Sequence, residues 1–297
     1  MSTAPAPARK GEWLDSWDPE NEQTWDKSLA WRTLWVTTFC LTLAFVAWFL
    51  PSAIIPKLNA LGYDFTKSPL YWMAAMPGLA AGLLRLVWMV LPPIMGTRKM
   101  VSMTSLLLIA STLGWGVRVQ SPTAPYWELM VLAFLAGIGG GAFSGFMPST
   151  SYFFPKRMQG TALGLQAGLG NFGVSLVQLL TPYLIAIGAL AIFGGSQQMA
   201  VPGQPPVTVW YQNAAFVWIP LMLVGAILAW TMLKSVPIKA NIRQQFDIFG
   251  NQDTWWMTLL YIMTFGTFAG LSAQFGLLMA DLYGIKNPDL VPGNGAP

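Results

Sequence analysis

An arginine in the middle of an apolar run offers the most chemistry in this sequence. Arg85 lies within MAAMPGLAAGLLRLVWMVLPP, a stretch with no acidic residue of its own. A cation at that depth in a bilayer costs about 2.5–3.5 kcal/mol on insertion scales and marks a functional site by default. Ala74, Gly78, Ala81 and Arg85 share one helical face, so the guanidinium is expected on a small-residue, helix-packed side rather than toward lipid. Glu128 and Asp281 fall at the ends of apolar runs, and the other acids lie in polar segments. A structural ion pair or a carbonyl contact is the plain alternative, but an unpaired buried cation calls for a negative partner. The simplest partner is a small anion from solution. A planar, bidentate fork suits nitrate, nitrite or a carboxylate better than a halide.

A second stretch, GTALGLQAGLGNFGVSLVQ at 160–178, carries five glycines with one asparagine, one serine and two glutamines. Gly160, Gly164, Gly168, Asn171, Ser175 and Gln178 recur every three or four residues and stack on one face. Leu163, Leu165, Leu169, Phe172, Leu176 and Leu179 form the other. The expectation is leucines toward lipid and the small, polar face toward neighbouring helices, with the Asn171 amide free to donate to a ligand. Further along, VLAFLAGIGGGAFSGFMPSTS contains Gly137, Gly141 and Gly145 at four-residue spacing, read mainly as packing glycines, together with Phe143. Tyr261, Phe265, Phe268 and Ser272 form a stripe, in which Tyr261 stands out for its hydroxyl donor. There is no histidine, and Cys40 is the single cysteine. No nucleophile–base pair, cofactor site or metal site can be assembled, so an enzyme is not expected.

The elements that must position these residues are membrane helices. Hydrophobic residues make up 54% of the chain and charged residues 9%, against about 25% charged in soluble domains; the mean hydropathy is +0.50. Apolar runs near the ~20 residues needed to span a bilayer fall at about 32–52, 70–95, 100–119, 127–151, 160–188, 209–233 and 254–281. The expected organisation is a cytoplasmic cap at 1–31, a six-helix bundle at 32–233, a basic cytoplasmic linker at 234–253, a seventh helix at 254–281 and an interrupted extracytoplasmic loop at 282–297. Trp13, Trp17 and Trp25 of the cap are expected to rest on the membrane surface. Arg98 and Lys99, Lys156 and Arg157, and Lys234, Lys239 and Arg243 follow alternate spans, which puts the N-terminus in the cytoplasm. The net charge of +4 is spread over these short loops and does not signal nucleic acid. The partner is the lipid bilayer. Spans two and five, with Arg85 and Asn171, occupy matching places in two three-helix repeats, where a binding site is expected.

The stretch GTALGLQAGLGNFGVS resembles the signature motif of NarK-type nitrate/nitrite porters of the major facilitator superfamily. SYFFPKRMQG, LLRL, GTRK, LLYIMTFGTFAGLSAQF and WDPENEQTWD are similar to that family as well, so the resemblance covers nearly the whole chain. It implies an all-α integral membrane bundle, here the N-terminal six-helix half plus a seventh transmembrane helix, in the inner (cytoplasmic) membrane. It implies nitrate and nitrite as substrates, with Arg85 as the span-two binding arginine and Asn171 as the signature asparagine. Phe143, Tyr261 and Phe265 would wall the site, and Gly168 and Gly170 of the signature join the substrate-binding set. The absence of intramembrane acids and histidines favours anion exchange over proton symport.

The family has twelve spans, a second signature in span eleven and a second substrate arginine in span eight, none of which this sequence contains. The chain is therefore expected to be an incomplete transporter whose missing C-terminal helices belong to a longer parent, and not to transport alone. Facilitation of another small anion or organic acid, or a non-transporting fragment or partner subunit, are the alternatives. In GTRK the tight turn and cations are kept without an acid. The expected role is a cytoplasmic latch, made by charge pairing with another helix end, beside the plainer reading as a basic loop.

Overall fold

A computed structural model describes residues 12–14, 17–23, 25–188, 193–238 and 247–283. Lys239 and Arg243 of the basic linker, and the 284–297 part of the interrupted loop, lie outside the described residues. The transmembrane helices are α1 (Lys27–Ile54), α2 (67–95), α3 (97–118), α4 (Tyr126–Ser151), α5 (Lys156–Leu184), α6 (Asn213–Met232) and α7 (Gln252–Leu282). Each coincides with one apolar run of the sequence to within a few residues.

The α2–α3 boundary shows how a single residue sets topology. Helical hydrogen bonding is nearly continuous over Lys67–Arg118, but Gly96 has φ 77° and ψ 165°. Glycine alone adopts that conformation without strain, and the chain reverses there. Trp88 Nε1 donates to Thr104 Oγ1 at 2.8 Å, across sixteen residues; in a straight helix these residues would stand about 24 Å apart. Two antiparallel spans are the only arrangement that allows this bond.

Helix α1 is apolar all round and buried nearly throughout, with Leu34, Leu41, Phe45, Leu50 and Ile54 inaccessible or nearly so. It is the central post. Helix α4 closes on it and on α2 through glycines. A methyl group on Gly139 would collide with the Ala44 carbonyl, one on Gly140 with Ala81 and Trp48, one on Gly141 with Leu84, and one on Gly145 with Met100 and Trp88. Helix α5 lies along α1, with Gly170 against Leu41 and Gly173 against Thr42 and Phe45. Thr42 Oγ1 donates to the Leu169 carbonyl at 3.1 Å.

Three expectations change at the ends of the bundle. The cap Trp residues turn inward instead of resting on lipid. Trp25 is buried and its indole donates to the Phe153 carbonyl at 2.9 Å, while Trp17 donates to the Tyr152 carbonyl at 2.9 Å. An indole needs a partner for its N–H when it is buried, and the α4–α5 turn supplies free carbonyls. The GTRK turn does pair its charge, but with the cap and not with a helix end: Lys99 Nζ lies 2.7 Å from Glu12 Oε1. Backbone bonds from Leu14 to the Ser235 carbonyl and from Ser235 to the Glu12 carbonyl complete this strap. Glu20 accepts from the Lys156 amide at 2.8 Å, and Glu22 pairs with Arg157 at 2.5 Å. The third change is a small amount of sheet in an otherwise helical chain. Gln197–Val201 (β1) and Gln204–Val209 (β2) form an antiparallel hairpin. Its tip is Pro202-Gly203, with Gly203 at φ 71°, the pairing that favours a tight turn.

Candidate functional site

Helix α2 is bordered by α1, α4 and α7 where Arg85 occurs, and this is the structure's most concentrated chemistry. Arg85 Nη1 donates to the Tyr261 hydroxyl oxygen at 3.2 Å, and Nε donates to the Gly140 carbonyl at 3.4 Å. The guanidinium carbon lies 5.5 Å from the Phe143 ring centroid, 5.8 Å from that of Tyr261 and 5.1 Å from that of Phe265. Among the described residues no carboxylate pairs with it. Each ring face attracts a cation by about 0.5–2 kcal/mol, so three together are comparable to the ~2.5–3.5 kcal/mol cost of placing arginine in a membrane. The cage and the carbonyl are enough to hold the side chain without a full negative charge. Because Tyr261 accepts from Arg85, its own O–H remains available to donate elsewhere.

The cage is itself fixed by packing. Phe265 is its hub: it stacks on Tyr261 at 5.0 Å and 12°, meets Phe143 at 6.1 Å, and lies nearly parallel to Trp48 at 6.5 Å. Trp48 is anchored by its indole N–H on the Pro77 carbonyl at 2.9 Å. Between Tyr261 and Phe268 the α7 backbone passes through a π-helical turn, Ile262–Gly266. Such a turn is a local device for re-aiming side chains and is frequent at functional sites. The Gly140 carbonyl comes close to Arg85 because α4 has no side chain at that contact.

Beside the cage is a cavity of about 400 Å³, bordered by Arg85, Tyr261, Phe265 and Trp48. Its α2 wall contains Ala74, Gly78 and Ala81. The small-residue face predicted around Arg85 thus exists: Ala74 and Ala81 are buried, Ala81 against the α4 glycines, while Gly78 opens on the cavity, with no atom within 4 Å of a methyl group built on it.

Of the sequence-derived residues, Arg85, Phe143, Tyr261 and Phe265 are brought together. Asn171, Gly168 and Gly170 are not; none borders this cavity. Asn171 Nδ2 donates to the Ala167 carbonyl of its own helix at 2.8 Å, and its Oδ1 is buried without a partner. Gly170 is a packing glycine against Leu41, and Gly168 faces open space. On α5 the face expected toward lipid is exposed, through Leu165, Leu169, Phe172 and Leu179, but the neighbour face differs from expectation. The buried face is Ala162, Gln166, Gly170, Gly173, Val174, Val177 and Thr181, while Gly160, Gly164 and Gly168 have nothing near them. Gln178, at the end of the small-residue face, spans to α1 and α7, donating to Ser52 Oγ at 2.9 Å and to the Ser272 carbonyl at 2.7 Å.

Sequence reasoning missed Trp48, whereas Gln178 meets the expectation that the polar face of its helix turns to neighbouring helices. A tryptophan inside a span, away from the interfacial belts that tryptophans favour, was the available signal for Trp48.

The sequence profile of the Major Facilitator Superfamily matches residues 37–293. The chain is 56% identical over 277 residues to a protein named probable nitrate/nitrite antiporter NarK2 of Thermus thermophilus, covering 93% of this chain and 62% of that one. It is 37% identical over 269 residues to the nitrate/nitrite transporter NarU of Escherichia coli K12, covering 89% and 58%. Among solved structures it is similar to a bacterial homolog of the human lysosomal transporter Spinster, in an inward-facing, unoccupied conformation. That likeness has a TM-score of 0.56 at 14% identity and covers 89% of this chain and 58% of the other. The chain therefore spans about three-fifths of the length of the relatives it matches.

Proposed function

The chain belongs to the Major Facilitator Superfamily, and from that premise we propose that it is the nitrate- and nitrite-binding portion of a membrane exchanger. The observation that carries this reading is Arg85, a guanidinium beside a cavity within the bundle with aromatic faces and a hydroxyl around it and no carboxylate of its own among the described residues. The names of the relatives supply the substrate; the geometry supplies a reason for it. A planar oxyanion can accept two parallel N–H bonds from the guanidinium and a third from the Tyr261 hydroxyl, while its flat faces lie against aromatic rings.

Exchange fits this arrangement better than proton symport. No carboxylate borders the cavity, so the described residues bring no titratable acid to the bound anion. An empty site leaves the arginine with ring faces, a carbonyl and the Tyr261 hydroxyl as neutral partners, and a bound anion adds the full countercharge. That difference favours reorientation of the loaded protein over the empty one. The site lies between the first six helices and α7, the place where rocking of two halves would open and close it; the remaining helices of the second half would come from the longer parent.

The protein is a multi-pass membrane protein of a transporter family. We place it in the cytoplasmic membrane with its N-terminus inside. The cap, the turns at 96–99 and 152–157 and the segment after α6 meet at one end, and the basic turns share that end as the positive-inside rule requires.

The test is nitrate binding to Arg85 variants. Arg85→Ala is expected to abolish measurable binding. Arg85→Lys, which keeps the charge but not the fork, should weaken it about tenfold, the scale of one charge-assisted bond. Wild-type affinity in Arg85→Ala would overturn the site, and equal competition by acetate would move the substrate to carboxylates.

A further inference from the structure

Away from the Arg85 cavity, α3 and α6 part to leave a groove of about 420 Å³. Its floor and walls are apolar, chiefly Met103, Leu106, Leu223, Ile227 and Trp230. Leu106 is 50% exposed, Ile227 61% and Trp230 48%. Ser102, the polar residue deepest in it, already donates to the Ala226 carbonyl at 3.0 Å. Helix α7 sits on another side of the bundle, against α1 and α2, through Trp48–Phe265, Arg85–Tyr261 and Lys67–Asp281. The second half of the transporter thus begins away from this groove.

One end of the groove is cationic. Lys99 borders it, and the Arg98 guanidinium lies 4.6 Å from the centroid of the Trp230 ring. Arg98 Nε is buried with no hydrogen-bond partner. Among the described residues the carboxylate at this end is Glu12, bonded to Lys99. One carboxylate against two cations leaves net positive charge where an apolar trough meets the level of the basic turns. An apolar channel along the membrane-spanning part of two helices, ending in unsatisfied guanidinium N–H, is the negative image of a lipid with an anionic head. Basic pockets between helices at that level take acidic head groups.

We propose that the α3–α6 groove binds an anionic phospholipid, with an acyl chain along Leu106, Leu223 and Ile227 and the phosphate on Arg98 and Lys99. A zwitterionic lipid presents the same chain and phosphate but adds a cation, which Arg98 and Lys99 repel. Net head-group charge is therefore the discriminating property. The site is independent of the anion cage, and its occupancy does not require nitrate.

Native mass spectrometry of the detergent-purified chain tests this, with phosphatidylglycerol and phosphatidylcholine of matched acyl chains as probes. Phosphatidylglycerol is expected to remain bound in preference. Each cation removed should lower its affinity by roughly fivefold, and both by about 30-fold, so Arg98→Gln with Lys99→Gln should bring it to the phosphatidylcholine level. Lys99→Gln alone changes an exposed side chain, and serves if the double variant loses its helical circular dichroism. Ile227→Trp fills the trough without touching the cations and should reduce retention of both lipids. Equal retention of the two lipids by the wild type, or unchanged preference in Lys99→Gln, would overturn the proposal. Displacement of the lipid by glycerol phosphate at equal concentration would also overturn it, since the groove would then be a plain anion site.

Discussion

Helices α4 and α5 each repeat glycine every four residues, at 137, 141 and 145 and at 160, 164 and 168, yet the two rows meet opposite surroundings. On α4 every position is filled from across the interface. A methyl group on Gly137 would meet Ala80, the Ala81 amide at 2.8 Å and the Pro77 carbonyl at 2.9 Å, and the other two meet Leu84, Met100 and Trp88. On α5 none of the three glycines has an atom within 4 Å. The α4 row brings two backbones together, and beside it the Gly140 carbonyl reaches Arg85 at 3.4 Å. The α5 row is a smooth open face, and at its far end Gln178 bonds to α7. Equal spacing therefore means rigid contact in one helix and an uncovered surface in the other. The same contrast separates α1, buried nearly throughout, from α7, where Leu277 is the one buried residue.

The strongest way to break the comparison is Gly137→Leu. Its neighbours include backbone that cannot move aside, so overpacking should cost about 3 kcal/mol, seen as loss of folded protein or a large drop in thermal midpoint in detergent. A wild-type midpoint would mean α4 is not packed as described. Tyr261→Phe should be milder and selective. It keeps the ring of the cage and removes the hydroxyl, so nitrate binding should weaken by about 1 kcal/mol with the melting midpoint unchanged. If affinity is also unchanged, the hydroxyl does not donate to the anion.

Smaller still is the effect of acid on the cap. The Lys99 ammonium bonded to Glu12 holds that carboxyl below the usual carboxylate range, assisted by Arg98 and the Trp13 indole and against some desolvation. A lowered folded-state pKa stabilises docking above the ordinary carboxylate pKa, and that stabilisation is lost as pH falls through the folded value. Hydrogen-exchange protection of the strap, measured against the intrinsic rate at each pH, should therefore be high at neutral pH and fall in acid, and Glu12→Gln should show the lower protection at neutral pH. Protection that stays constant with pH would show that the indole and backbone bonds hold the strap without this pair. The least effect is expected from Gly168→Ala, which meets no atom and should raise stability by about 0.5–1 kcal/mol through helix propensity. A destabilisation rivalling Gly137→Leu would erase the distinction between the two rows.

Much of this was legible in order along the chain. The seven spans were, because a stretch that must satisfy its backbone internally and face lipid has to be a long apolar helix. Arg85 was, because a charge in such a stretch has no innocent location. The reversal at Gly96 could be placed between two apolar runs, although the nearly unbroken helix on either side of it could not. The hairpin could have been read from Pro202-Gly203 between two polar, strand-compatible segments. The inward turn of Trp17 and Trp25 had no sequence signal, since it depends on carbonyls at 152 and 153.

By itself, then, the sequence determined the number of membrane helices, the basic turns between alternate spans and the one cation placed among apolar residues, since all three follow from the local cost of exposing or burying a group. Tertiary structure decided which glycines touch and which stand open, which aromatic rings close around Arg85, and that Asn171 serves its own helix while Gln178 reaches another. Those outcomes depend on where helices cross, and a helical repeat places residues on a face without saying what that face will meet.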